Sequence, residues 1–165
     1  MQLTKHHGWG NDFLVTFMAE VPPGSSDLAR QVCDRHRGIG ADGLILGLPG
    51  TASDATAATF VLINADGSRA EVSGNGLRCF GQALALRDLV TGPATFDVGT
   101  AAGVRRISIE PTDDPTRVDA AVECGGAAPP RQVKKLFPAE YTLWPFDQRD
   151  QKIIFASAER YCHAV

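Results

Sequence analysis

Long apolar runs are missing from this chain, and no stretch approaches the roughly 20 residues that a membrane-crossing helix needs. A helical membrane protein is therefore not expected. A charge excess of one sign is missing too: 16 Lys and Arg stand against 19 Asp and Glu, for a net charge of −3. The basic residues come as short pairs, Arg105-Arg106 and Lys134-Lys135, without interleaved aromatics, so nucleic acid is not an expected partner. Cysteine is sparse, at Cys33, Cys79, Cys124 and Cys162. No Cys-x-x-Cys occurs, which removes support for a zinc ribbon or a thioredoxin motif. A secretory leader is not expected either: His6-His7-Gly8 follows Lys5, where an apolar core is required. Without that leader a disulfide framework is not expected, and each thiol reads first as a small buried hydrophobe. Together these absences point to a soluble, cytoplasmic protein. Asparagine is scarce too, with only Asn11, Asn64 and Asn75, and all three fall in turn-like stretches.

What is present suits one folded domain. The 165 residues are 44% apolar and 21% charged, enough to bury a core. Leu3 to His7 and Phe13 to Phe17 read as two strands joined by a turn at Gly8-Trp9-Gly10-Asn11-Asp12. Ser26 can cap a helix running to about His36. Leu44 to Leu46 and Thr59 to Asn64 read as core strands, separated by a small-residue loop. Three short strands, Thr95 to Val98, Val104 to Glu110 and Arg117 to Val122, follow the stop signal Thr91-Gly92-Pro93. Gly125-Gly126-Ala-Ala-Pro129-Pro130 looks like a linker. Beyond it periodicity is lost, and residues after Pro130 are expected to pack poorly.

Several chemical readings fail on local grounds. Gly38-Ile-Gly40-Ala-Asp-Gly43 has the spacing of a dinucleotide fingerprint, but a helix precedes it and a strand follows, the reverse of what that site needs. His6 and His7 are adjacent in a strand and point to opposite faces, so they do not share a metal ion easily. Cys33 and His36 are spaced as a ligand pair without further ligands nearby. No metal site and no cofactor are expected. Ser73 is not the nucleophile of a Gly-x-Ser-x-Gly elbow, because Glu71 stands at the first glycine position.

The stretch from Asn64 to Phe80 carries most of the information. The strand ending at Asn64 meets a turn signal at Asp66-Gly67. Arg69 to Val72 can return as a short strand. Ser73-Gly74-Asn75-Gly76 then breaks it, and a helix follows from Gly76 to about Val90, with Leu77, Phe80 and Leu84 on one stripe. A side-chain-poor loop at a helix start offers unpaired N–H groups and a positive dipole end, which suit a carboxylate.

This stretch, Asn64-Ala-Asp-Gly-Ser68 with Ser73-Gly-Asn-Gly76 and Arg78-Cys79, resembles the signature of the diaminopimelate epimerase family. Lys5-His-His-Gly-Trp-Gly-Asn-Asp-Phe13 and Asp34-Arg-His-Arg-Gly-Ile-Gly-Ala-Asp-Gly-Leu44 are similar to two further motifs of that family. The likeness ends near Val122. It implies an α+β lobe, residues 1–122, with a curved, mainly antiparallel sheet wrapped around a central helix. Residues 123–165 form an atypical tail in which the family's second lobe is not recognised. The resemblance also implies pyridoxal-independent inversion at the α-carbon of LL-diaminopimelate to the meso form, in lysine biosynthesis. It carries a substrate-binding role onto Asn11, Asn64, Gly74 and Asn75, and a catalytic position onto residue 73. Here Ser73 stands where the family has a catalytic cysteine, and Gly43 stands where some members have a substrate-contacting glutamine. The partner implied is a small amino acid, diaminopimelate, and a homodimer is left open.

Inversion needs a base on one face of the α-carbon and an acid on the other. A thiol suits the work because its ordinary pKa, about 8.5, is easily tuned towards neutrality. A serine hydroxyl needs a neighbouring base, and His6, His7 and His36 are the candidates. Two alternatives stand beside an epimerase that is incomplete as an isolated chain: a non-catalytic amino-acid-binding lobe, and a truncated or altered gene product whose last forty or so residues are foreign to the family. Cys124 and Cys162 lie in contexts unlike that of the family's second cysteine.

Overall fold

The computed structural model describes residues 1–114 and 116–123, and the backbone of residues 137–145. The chain starts with a hairpin, β1 (Gln2–Gly8) and β2 (Asn11–Phe17), joined by Trp9 and Gly10. Both turn residues have positive φ, 57° and 82°, the requirement of a two-residue type I′ connection. Then come α1 (Ser25–Cys33), β3 (Gly43–Pro49), β4 (Ala58–Asn64) and the two-residue β5 (Arg69–Ala70). The long helix α2 (Gly74–Arg87) precedes β6 (Ala94–Thr100), β7 (Gly103–Pro111), β8 (Arg117–Val122) and β9 (Phe137–Pro145).

The nine strands form one sheet in the order β3-β2-β1-β9-β8-β7-β6-β4-β5. Neighbours are antiparallel except β2–β3 and β4–β6. The sheet curls until β3 and β4 also pair along their whole length, from Gly43–Asn64 to Pro49–Ala58. The helix α2 packs against strands from right round this curl. The expected curved, mainly antiparallel sheet around a central helix is the architecture observed.

Period-two alternation sorts the apolar residues onto two cores. Phe13, Val15, Ile45, Phe60 and Leu62 face inward and meet Leu77, Phe80 and Leu84 of α2, with Ile107 and Ile109 from β7. Leu14, Leu44, Leu46 and Ile63 face outward and are covered by Ala29, Val32 and Cys33 of α1. Strands with both faces covered read as unbroken apolar runs, as Leu44-Ile45-Leu46 does. Fully burying each Leu or Phe contributes about 1.5–3 kcal/mol. Gly81 lets α2 lie close to the sheet: a Cβ there would sit 2.6 Å from a methyl of Ile107. The expected helix stripe of Leu77, Phe80 and Leu84 is buried, as are Ile63, Phe13 and Val15, and Val61 is partly buried against the outer core.

Three boundaries differ from expectation. The N-cap of α1 is Gly24, at φ 75°, and not Ser26. That helix stops at Cys33 rather than His36, because the Asp34 carboxylate takes the N–H groups of His36 and Arg37 in a tight turn. Gly38 then passes so close to the helix end that a Cβ would sit 2.2 Å from the Gln31 carbonyl oxygen. The helix α2 begins at Gly74 with Ser73 as its cap, two residues before the expected start. Part of the tail also departs from expectation: residues 137–145 form a strand between β1 and β8, antiparallel to both. The Gly125 to Pro130 segment, Cys124, Cys162 and the stretch from Gln151 to His163 lie outside the described residues.

Candidate functional site

Ser73 is in extended backbone, φ −137° and ψ 121°, at the N-cap of α2. Its hydroxyl oxygen accepts the Gly76 N–H at 3.0 Å, and its carbonyl accepts the Leu77 N–H at 2.8 Å. Serine is among the best residues for this task. The N–H groups of Gly74 and Asn75, in the first turn, have no intrahelical acceptor. A Cβ built on Gly74 would meet nothing within 4 Å. The protein's own packing thus makes no demand for glycine at 74, and the space in front of it is open.

Asn75 points to the first hairpin. Its Nδ2 donates to Asn11 Oδ1 at 2.6 Å, although the two residues are 64 apart in sequence. The type I′ turn makes Asn11 the first residue of β2 and so aims it at the start of α2. Asn11 Nδ2 donates in turn to Asp42 Oδ2 at 3.1 Å. Asn64 joins from the other side of Asp42: it pairs with Gly43 across β3–β4, and the next N–H, of Ala65, donates to the Asp42 carbonyl. The Asn64 side chain itself donates to Ser68 Oγ at 3.0 Å, inside its own turn. The structure therefore joins Asn11 and Asn75 directly and sets Asn64 beside Asp42, with Ser73 at the adjoining helix cap.

Residues not expected from the sequence brace this arrangement. Arg35 grips Asp12 with two bonds, 2.6 and 3.0 Å, and reaches Asp42 at 2.8 Å. Lys5 makes an ion pair with Asp12 at 3.0 Å and donates to the Gly40 carbonyl. Burial pushes the Asp12 carboxyl up, but the bonds from Arg35 and Lys5 outweigh it and hold its pKa down at about 2. The carboxylate stays ionised at any neutral pH. Arg78 donates to Asn75 Oδ1 from the next turn of α2. The i, i+3 spacing of Asn75 and Arg78 was the one sequence signal for that contact. Nothing local announces Asp42 as the partner of Asn11, because the contact depends on the parallel pairing of β2 with β3.

The buried candidates, His6, Cys33 and Cys79, are poorly suited to acid/base work. His6 is fully buried, with ring nitrogens bonded to Gln82 Oε1 at 2.9 Å and Thr4 Oγ1 at 2.7 Å. Burial lowers its pKa to about 4, so it is neutral. Cys33 and Cys79 are buried, and burial pushes both thiols up to about 12. Neither is a usable thiolate. Among the described residues no cluster of His, Cys, Asp and Glu is arranged to hold a metal ion, and no helix is long and apolar enough to cross a membrane. A groove lined by Gln2, Val15, Phe17, Ala83, Arg87 and Leu89 lies at the opposite end of α2 from Ser73.

Sequence comparison places the chain in a family, and structure comparison places its fold. Residues 3–127 match the family described as Diaminopimelate epimerase. This chain belongs to that family. It is 40% identical over 122 residues to Diaminopimelate epimerase 1 of Nostoc sp. (strain PCC 7120), a match covering 72% of this chain and 43% of that protein. It is 42% identical over 123 residues to Diaminopimelate epimerase of Desulforudis audaxviator, with the same coverage. The match thus takes in less than half the length of these curated relatives. Among solved structures, a probable proline racemase from Agrobacterium radiobacter K84 superposes with a TM-score of 0.57 at 23% identity, over 72% of this chain and 40% of that one. A PhzF-family phenazine biosynthesis protein from Bacillus anthracis gives 0.53 at 15% identity, over 73% and 40%. These two likenesses concern the fold alone.

Proposed function

We propose that this chain is an amino-acid-binding lobe of the diaminopimelate epimerase type, which seats the α-carboxylate of diaminopimelate at the start of α2. The observation that carries the proposal is the open helix start, where the first-turn N–H groups of Gly74 and Asn75 lack intrahelical acceptors and a Cβ at Gly74 would meet nothing within 4 Å, beside the Asn75–Asn11 pair. Preorganised N–H groups aimed at a carboxylate stabilise the charge that develops when the neighbouring Cα proton leaves. Asn11, Asn64, Gly74 and Asn75 are the binding residues in this reading. Residue 73 is the acid/base position on one face. The reaction class is pyridoxal-independent inversion at the α-carbon, in lysine precursor synthesis in the cytoplasm, and it uses no cofactor.

Ser73 limits that chemistry. Its hydroxyl is bonded to Gly76, and a serine acts as a base only when another group takes its proton. His6, the buried histidine, has its pKa lowered to about 4 by burial and its ring nitrogens bonded to Gln82 and Thr4, so it is a poor proton acceptor. The two described thiols are both buried, away from solvent. We therefore assign binding, not independent inversion, to this chain.

The test measures two reactions of diaminopimelate, inversion and solvent-deuterium exchange at Cα, for the wild-type chain, Ser73→Cys and Ser73→Ala. Wild type and Ser73→Ala are expected to bind without inverting. Ser73→Cys is expected to show slow exchange without inversion, because one thiol addresses one face. Robust inversion by wild type that disappears in Ser73→Ala would overturn the assignment and make serine a working acid/base.

A further inference from the structure

We propose that Asp42 and Arg78 are positioning residues that fix which way the Asn11 and Asn75 amides face. The two ends of an amide group are nearly equal in size, so hydrogen-bond partners decide its facing. A carboxylate only accepts, and a guanidinium only donates. Asp42 Oδ2 meets the Asn11 amide, so the NH2 of Asn11 must face Asp42 and its carbonyl oxygen must face Asn75. Arg78 meets the Asn75 amide, so the oxygen of Asn75 must face Arg78 and its NH2 must face Asn11. Both conditions meet at one bond, Asn75 Nδ2 to Asn11 Oδ1, 2.6 Å long. The result is a directional chain from guanidinium through two amides to carboxylate. Each link polarises the next. Asp42 is itself anchored, since Arg35 holds Oδ1 and the Asp12 N–H shares Oδ2.

The facing has a chemical consequence, which rests on the amino-acid reading given above. Asn11 Oδ1 keeps a second lone pair, and Asn75 Nδ2 keeps a second hydrogen. The pair thus offers an acceptor and a donor side by side, the complement of the ammonium and carboxylate of one zwitterion. Reversing either amide would put like beside like and spoil that match.

Asparagine scarcity makes the proposal testable. Selective ¹⁵N labelling of asparagine yields three side-chain NH2 signal pairs, from Asn11, Asn64 and Asn75. Asn64, bonded to Ser68, is the internal control. In Asp42→Asn the signals of Asn11 and Asn75 are expected to move together while those of Asn64 stay. In Arg78→Glu the same pair is expected to move from the other end. Arg78→Lys, whose ammonium also only donates, should restore the wild-type pattern. Asp42 lies in the loop just before β3 and Arg78 in α2, so a folding failure of one variant leaves the other to decide. Movement of only the directly bonded amide, or of neither, would overturn the proposal. So would an Arg78→Lys pattern equal to that of Arg78→Glu. Diaminopimelate titrated into the same samples should bind about tenfold or more weakly in Asp42→Asn and Arg78→Glu, as expected for a lost charge-assisted bond. Coupled amide signals without binding by wild type would defeat the amino-acid site and leave the positioning role intact.

Discussion

The two halves of α2 do opposite work. From Leu77 to Leu84 the helix is a packing element, with Leu77, Cys79, Phe80 and Leu84 at most 1% exposed. Phe80 is ringed by Phe17 and Phe60, at centroid distances of 5.7 and 5.5 Å. From Ser73 to Asn75 the same helix is polar and open, and its bonds run to a cap hydroxyl and to another element's amide. The difference shows how one helix serves both fold and site. Its buried half is anchored by non-directional burial, so its exposed end can spend hydrogen-bonding groups on something outside the fold.

The comparison can be broken first at the buried end. Phe80→Ala removes a ring from the centre of the inner core and should cost about 3–5 kcal/mol, read as a shift in a urea or thermal unfolding midpoint. The open end should loosen with that loss, because its cap and amide bonds depend on the packing that seats the middle of α2.

A pH series probes the same packed interior through His6, which anchors β1 to α2 through Gln82. Its pKa is lowered from 6.5 to about 4 by burial, so the unfolded chain takes up a proton before the folded one does. The stability that this histidine contributes is present above pH 6.5 and is lost as pH falls from 6.5 towards 4. The loss should be on the order of 3 kcal/mol. Unfolding curves at pH 7 and pH 4.5 should separate by much of that amount, and His6→Gln should narrow the separation.

The smallest effects belong to the open end. Ser73→Ala removes a helix cap and should cost about 0.5–2 kcal/mol. Gly74→Ala should be neutral or stabilising by up to about 1 kcal/mol, since nothing lies within 4 Å of the new Cβ and alanine favours a helix. Its effect should fall on diaminopimelate binding instead, measured by calorimetry. A Gly74→Ala chain that lost stability and kept binding would show that this end, too, is part of the packing.

The packed half of α2 was legible in the sequence because Leu77, Phe80 and Leu84 repeat at helical spacing. The strands around it were legible as short apolar runs bounded by turn signals. The open end was less legible. Ser73 could be seen as a break, but its role as cap depends on where the helix starts, and Gly74 and Asn75 give weak local signals. The braces Arg35, Asp12 and Asp42 were not legible, because each charged residue alone looks like a solvated surface group. Residues 137–145 read as patternless, yet their backbone fills the place between β1 and β8. Only those partners, one of them at the far end of the chain, make that stretch a strand.

By itself the sequence determined most of the element types, the apolar faces and the family motifs, all of which are local patterns of side-chain chemistry. Tertiary structure alone decided that Asn11 meets Asn75, that Asp42 and Arg78 stand at the two ends of their amide pair, and that His6 is neutral beneath α2. Those facts depend on the type I′ turn, the parallel β2–β3 pairing and the curl of the sheet. Hydrogen bonds are short and directional, so they exist only once distant segments have been brought to a few ångströms by the burial of surfaces that do not themselves take part.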